Sequence, residues 1–124
     1  MSVVLIVEDN EKNMKLARDV LQVKGYDTIE AVTGEDGVRL ARERLPDLVL
    51  MDIQLPGISG IEALGQLRDD PSTALIPVIA LTASVTPTDR SQITDAGFDA
   101  FLAKPIVLRE FLETVRRLVE GARP

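Results

Sequence analysis

Short apolar runs alternate along the chain with longer stretches whose apolar residues recur at helical spacing. The runs are Val3 to Val7, Thr28 to Val32, Leu48 to Met51, Val78 to Leu81 and Ala100 to Ala103. They are rich in β-branched residues and bounded by turn signals, so the pattern reads as strand then helix, repeated five times. Val3 to Val7, Leu48 to Met51 and Val78 to Leu81 are nearly unbroken apolar runs, as parallel strands require when helices cover both faces. These three are expected at the centre of the sheet. Thr28 to Val32 carries Glu30, and Ala100 to Ala103 is short and follows Asp99, so both are expected at the edges.

The helices carry their own punctuation. Asn10 is placed to cap a helix whose Met14, Ala17, Val20 and Leu21 share a face, with Gly25 ending it. Ser59-Gly60-Ile61-Glu62 has the form of a capping box, opening a helix with Ile61, Leu64 and Leu67 inward. Thr86-Pro87-Thr88-Asp89 supplies a cap, a proline at the first helical position and an acid in the first turn, and Gly97 closes that fourth helix. Its anchors are few, Ile93 and Ala96 among them, so it is the helix expected to shift most easily. The last helix is predicted to pack through Leu108, Phe111, Leu112, Val115, Leu118 and Val119.

Composition narrows the chemistry. A chain of 124 residues, 45% apolar and 27% charged, suits one packed domain over residues 1–124, with no linker or second domain expected, and excludes a two-domain enzyme. The net charge of −6 opposes attraction to nucleic acid and to anionic lipid, so neither direct nucleic-acid binding nor membrane insertion is expected. The N-terminal apolar run is too short for a signal peptide and lacks a basic region before it, which points to the cytoplasm. With no Cys and no His, thiolate chemistry, imidazole bases and phosphohistidine on this chain are excluded. Carboxylates, hydroxyls, amines and a borrowed metal remain.

Those groups follow the strands. Glu8 and Asp9 come after the first run, Asp52 after the third, Thr82 after the fourth, and Lys104-Pro105 after the fifth. In an open parallel sheet these ends share one edge, where ligands bind at the reversal of strand order. Each has a bland reading alone: Glu8-Asp9 as a cap or solvated turn, Asp52 as a turn start, Thr82 as a cap, Lys104 as a solvated charge. Their joint placement is what the separate readings leave unexplained. Three carboxylates with one lysine ask for a hard divalent cation with oxygen ligands, naturally Mg2+ with Mn2+ as the second candidate. Asp52 could then serve as a nucleophile toward phosphorus without a general base, because an ionised carboxylate has no proton to remove.

The set Val7-Glu8-Asp9-Asn10, Met51-Asp52-Ile53-Gln54-Leu55-Pro56-Gly57, Thr82-Ala83 and Lys104-Pro105 resembles the receiver domain of two-component response regulators over essentially the whole chain. It looks most like the single-domain cell-cycle regulators of the DivK type. The resemblance implies a flavodoxin-like (βα)5 three-layer sandwich with a parallel five-stranded sheet of order 2-1-3-4-5. It implies Asp52 as phosphoacceptor and metal ligand, Asp9 as a direct metal ligand, Glu8 acting through metal-bound water and the main-chain carbonyl of Gln54 as a further ligand. Thr82, Ala83 and Lys104 would receive the phosphoryl group. Thr82 and Phe101 would form the switch, although a lone aromatic on a strand otherwise reads as core. A cis bond before Pro105 would aim the lysine. Pro56 and Gly57 read as a structural type II turn.

The family also implies partners: a histidine kinase or histidine phosphotransfer protein as donor, and a downstream protein bound through the fourth helix, fifth strand and fifth helix. The chain would be a monomer or weak dimer. The alternatives are a receiver-like interaction module that works without phosphorylation, or a phosphate sink. A flavodoxin-like electron carrier is disfavoured because Glu8-Asp9 stands where a glycine-rich phosphate loop would be. Two features depart from the common pattern or tune it: Glu8 stands where many receivers have Asp, and Gln54 and Ser84 occupy positions that set the phosphorylated lifetime.

Overall fold

A computed structural model of the chain describes residues 2–83 and 86–121, apart from the side chains of Pro87 and Asp89. In chain order the elements are β1 (Val3–Val7), α1 (Glu11–Val23), β2 (Asp27–Ala31), α2 (Gly34–Arg44), β3 (Leu48–Asp52), α3 (Gly60–Asp69), β4 (Val78–Thr82), α4 (Pro87–Ala96), β5 (Ala100–Ala103) and α5 (Leu108–Gly121). The strands form one parallel sheet of order β2-β1-β3-β4-β5, the flavodoxin-like arrangement expected. The unbroken apolar runs are the three interior strands, and the two runs read as edges are the edges.

Strand alternation divides the core between two faces. Val4 and Ile6 of β1, Leu48 and Leu50 of β3, and Ile79 and Leu81 of β4 meet Met14, Ala17 and Leu21 of α1 and Phe111, Val115 and Val119 of α5. Leu5 and Val7, Val49 and Met51, and Val78 face Val38 and Ala41 of α2 and Ala63, Leu64 and Leu67 of α3, with Ala96 of α4 packed alongside. Helices on both sides of the sheet make the three layers.

The ends of the elements matter most for chemistry. β3 and β4 each run one residue beyond the apolar run and take Asp52 and Thr82 into the sheet, Asp52 opposite Leu81 and Thr82 opposite Ala103. β2 starts at Asp27, whose N–H donates to the Ser2 carbonyl at 2.9 Å, so it also ends a residue early and leaves Val32 exposed. The caps are built from the expected residues: Asn10 accepts from the Asn13 N–H and Ser59 from the Glu62 N–H. Gly25 and Gly97 lie at positive φ where α1 and α4 stop.

Two helix faces differ from the periodicity reading. In α3 Ala63 is fully buried while Ile61 is only partly so, because Gly60 seats the first turn directly on the end of β3 and rotates Ile61 outward. Leu108 is exposed, since it is the first residue of α5 and the helix meets the sheet a turn later at Phe111. Ile93 is the one buried side chain described on α4, in keeping with its thin anchoring. The end of the sheet remote from Asp52 is tied by Arg68. Its guanidinium donates to the carbonyls of Ala74 (3.0 Å) and Ile76 (2.6 Å) and to Asp99 Oδ2 (2.9 Å).

Candidate functional site

Parallel pairing carries past β1: the Glu8 N–H donates to the Ala31 carbonyl at 3.0 Å, and the Glu8 side chain is buried. Asp9, the next residue, is exposed. One carboxylate oxygen from each of Glu8, Asp9 and Asp52 falls in a group whose members all lie within 4.8 Å of one another. Lys104 enters from the end of β5. Its N–H donates to the Thr82 carbonyl at 2.8 Å and its peptide bond to Pro105 is cis.

The lysine is shared between two acids. Lys104 Nζ donates to Asp52 Oδ2 at 2.9 Å and to Glu8 Oε1 at 3.3 Å. Asp52 Oδ1 accepts from the Gln54 N–H at 3.0 Å, which bends the chain after β3 back over the carboxylate. Glu8 Oε1 also accepts from the Asn10 N–H. Glu8 Oε2 is different: it lies 2.9 Å from the lysine nitrogen but takes part in no hydrogen bond, and it is buried.

Charge follows this geometry. Burial pushes the Glu8 carboxyl above its ordinary value, against the opposing hydrogen bonds from Lys104 and Asn10, and the nearby Asp52 charge raises it further. Burial would lower the Lys104 ammonium, yet its hydrogen bonds and charge contacts with Asp52 and Glu8 together outweigh it and hold the lysine above its ordinary value. The two directions agree, because one lysine gains from two carboxylates while Glu8 has only a share of one lysine.

This donor set fits a hydrated Mg2+. Three carboxylates converge against one ammonium, all donors are hard oxygens, and the unbonded Glu8 Oε2 offers an acceptor for a metal-bound water. An open cavity of about 410 Å³ leads away from Glu8 and Asp9 past Lys15 and Arg18.

The other positions singled out in the sequence fall around this cluster. Thr82 is buried at the end of β4, beside Ala103 and the lysine that follows it, and Ala83 is exposed next in the chain. Gln54 has an exposed side chain, and Ser84 lies outside the described residues. Gly57 adopts φ +76 after Pro56, the left-handed position a type II turn needs. Phe101 is half-buried on β5, two residues along the strand from Ala103, and the Arg90 guanidinium of α4 lies 4.9 Å from its ring centroid. Two contacts have no mark in the sequence pattern. Arg90 carries no distinguishing mark there, and Gly60 reads as a first-turn residue although the Asp52 carbonyl fills the place its Cβ would occupy.

Residues 4–116 match the response regulator receiver domain family. The chain belongs to this family. Over 119 residues, 96% of the receiver and 97% of the relative, it is 49% identical to the polar-differentiation response regulator DivK of Brucella ovis. The signal receiver domain of a histidine kinase from Syntrophus aciditrophicus superposes with a TM-score of 0.92 at 30% identity, covering 99% of this chain and 93% of the other. The receiver domain of a Pseudomonas aeruginosa sensor histidine kinase, solved with a magnesium ion coordinated in its active-site cleft, gives 0.90 at 32% identity over 96% and 98% of the two chains. The receiver is therefore a DivK-like signalling domain of two-component phosphorelay, not a conventional enzyme. Among the described residues no helix is long and apolar enough to cross a membrane.

Proposed function

We propose that the receiver acts as a single-domain switch over residues 1–124 that takes a phosphoryl group onto Asp52 from a phosphohistidine. The observation that carries this reading is the Asp52 carboxylate itself, fixed at a strand end with Lys104 Nζ 2.9 Å from Oδ2 and the Glu8 and Asp9 oxygens in the same group. Asp9 and Asp52 would hold Mg2+ directly, with the Gln54 carbonyl as a further ligand and Glu8 reaching it through water; Mn2+ suits the same oxygens. The ion, when bound, neutralises charge on the oxygens of the transferring group.

The remaining work belongs to the protein. An Asp52 oxygen forms the new P–O bond as the P–N bond of the phosphohistidine breaks, its electron pair returning to the donor's imidazole. Lys104 exchanges its place on Asp52 Oδ2 for a phosphoryl oxygen, Thr82 donates its hydroxyl to another, and the small Ala83 leaves space for the group. A histidine kinase or histidine phosphotransfer protein is the donor. Movement of Thr82 and Phe101 then changes the surface of α4, β5 and α5 for a downstream protein. The receiver would do this in the cytoplasm as a monomer or weak dimer.

Incubation with acetyl phosphate, with and without Mg2+, followed by intact mass, tests the reading; the absence of Trp makes mass the more direct readout. A metal-dependent gain of one phosphoryl group that Asp52→Asn abolishes supports it. A folded protein that gains none, from acetyl phosphate or a kinase donor, is a phosphorylation-independent interaction module.

A further inference from the structure

The Arg90 guanidinium covers the ring of Phe101 at 4.9 Å from its centroid, a cation–π distance. Phe101 pairs with Ala80 in the sheet register, and Thr82 pairs with Ala103, so Phe101 sits one pleat behind Thr82 on the face that α4 covers. Its neighbour across the strand is therefore the smallest side chain with a Cβ, which leaves the ring room to move. β5 is an edge strand and Phe101 is only half-buried, so it lacks the close packing that locks a core aromatic. Among the described side chains of α4, Ile93 is buried and Ala96 packs partly buried against the core.

We propose that Arg90 is a latch that holds Phe101 in its surface position and so favours the unphosphorylated form of the receiver. The inference rests on the reading of Phe101 and Thr82 as the switch. For the ring to turn toward the site it must leave the guanidinium, and that lost contact is a cost borne only by the switched form. An exposed cation–π contact changes such an equilibrium by about two- to fivefold. Arg90 thus sets how much of the switched state exists before any phosphoryl group arrives, and a helix with few apolar anchors is the element on which so modest a contact has leverage.

The test is titration with beryllofluoride in saturating Mg2+, as a phosphoryl mimic, followed by NMR of phenylalanine-labelled protein. Arg90→Ala is expected to tighten apparent beryllofluoride affinity about two- to fivefold and to shift the Phe101 ring resonances of the free protein toward their bound positions. Arg90→Lys, which keeps charge and stem, should lie between. In a Phe101→Ala background the Arg90→Ala change should have no effect. Wild-type-like affinity and ring resonances in folded Arg90→Ala would overturn the latch alone. Failure of the wild type to bind beryllofluoride at all would overturn the switch reading and the latch with it.

Discussion

A methyl group on Gly60 would overlap the main-chain carbonyl of Asp52 and stand 2.9 Å from Ile53 Cα. The first turn of α3 therefore rests on the backbone of the proposed phosphoacceptor, and the Gly60 N–H donates to the Ile53 carbonyl at 2.9 Å to hold it there. Gly60→Ala is expected to destabilise the fold by about 1–3 kcal/mol, as overpacking does, because both colliding groups are backbone and cannot swing aside. Urea denaturation measures the loss. The amide resonances of Asp52 and Ile53 should move with it.

Replacing Glu8 by Gln separates the cost of the buried acid from its use. The folded carboxyl is raised, so the folded state binds this proton more tightly than the unfolded state does. Its favourable contribution is complete below the ordinary value of 4.5 and is lost as pH rises through the raised folded value. Metal-free Glu8→Gln should therefore melt above the wild type near neutral pH, with the gap narrowing as pH falls toward 4.5. Calorimetry at a series of pH values checks the sign. Magnesium titration should show weaker binding by the variant.

Lys104→Met leaves Asp52 and Glu8 buried beside each other without their shared cation. Losing two hydrogen bonds to charged groups, each worth about 1.5–3 kcal/mol, should destabilise the metal-free protein by more than either alone. Added Mg2+ can take over the neutralisation, so the magnesium-induced rise in unfolding midpoint should be larger for the variant than for the wild type. Equal rises would mean that the lysine and the ion do not compete for the same charge.

At the opposite end of the sheet, Val78 and Asp99 bond in both directions: the Val78 N–H donates to Asp99 Oδ2 at 2.8 Å and the Asp99 N–H to the Val78 carbonyl at 2.9 Å. Arg68 holds that carboxylate in place. Arg68→Ala should destabilise by about 1–3 kcal/mol through the carbonyls and carboxylate it abandons. Hydrogen exchange at Val78 should accelerate more than at Leu50, in the middle of the sheet.

The strands were legible because each interior run is apolar on both faces, and Glu30 and Asp99 marked the edges. Glu8, Asp9, Asp52, Thr82 and Lys104 were legible as a group because each follows a strand, and parallel strands place such residues along one rim. The roles given to Phe101 and Gln54 came from resemblance, since nothing in their spacing announces a switch or a carbonyl ligand. What escaped the pattern are contacts made in three dimensions. Arg90 and Phe101 belong to different elements, and an arginine on an exposed helix face has no sequence mark that tells stacking from solvation. Periodicity places Ile61 inward because it treats a helix as free to rotate, whereas Gly60 seats α3 on β3 and fixes the rotation.

The strand order has one more consequence. Glu8 and Lys104 stand 96 positions apart, yet they meet over Asp52 because β1, β3, β4 and β5 are neighbours in the sheet. A break in the turn between α3 and β4 would put all three acids on one fragment and Thr82 with Lys104 on the other. Neither half would hold a working rim, and only their docking would restore it. The meeting of these acids with the lysine is thus an all-or-nothing certificate of folding: a partly folded chain presents no half-assembled rim.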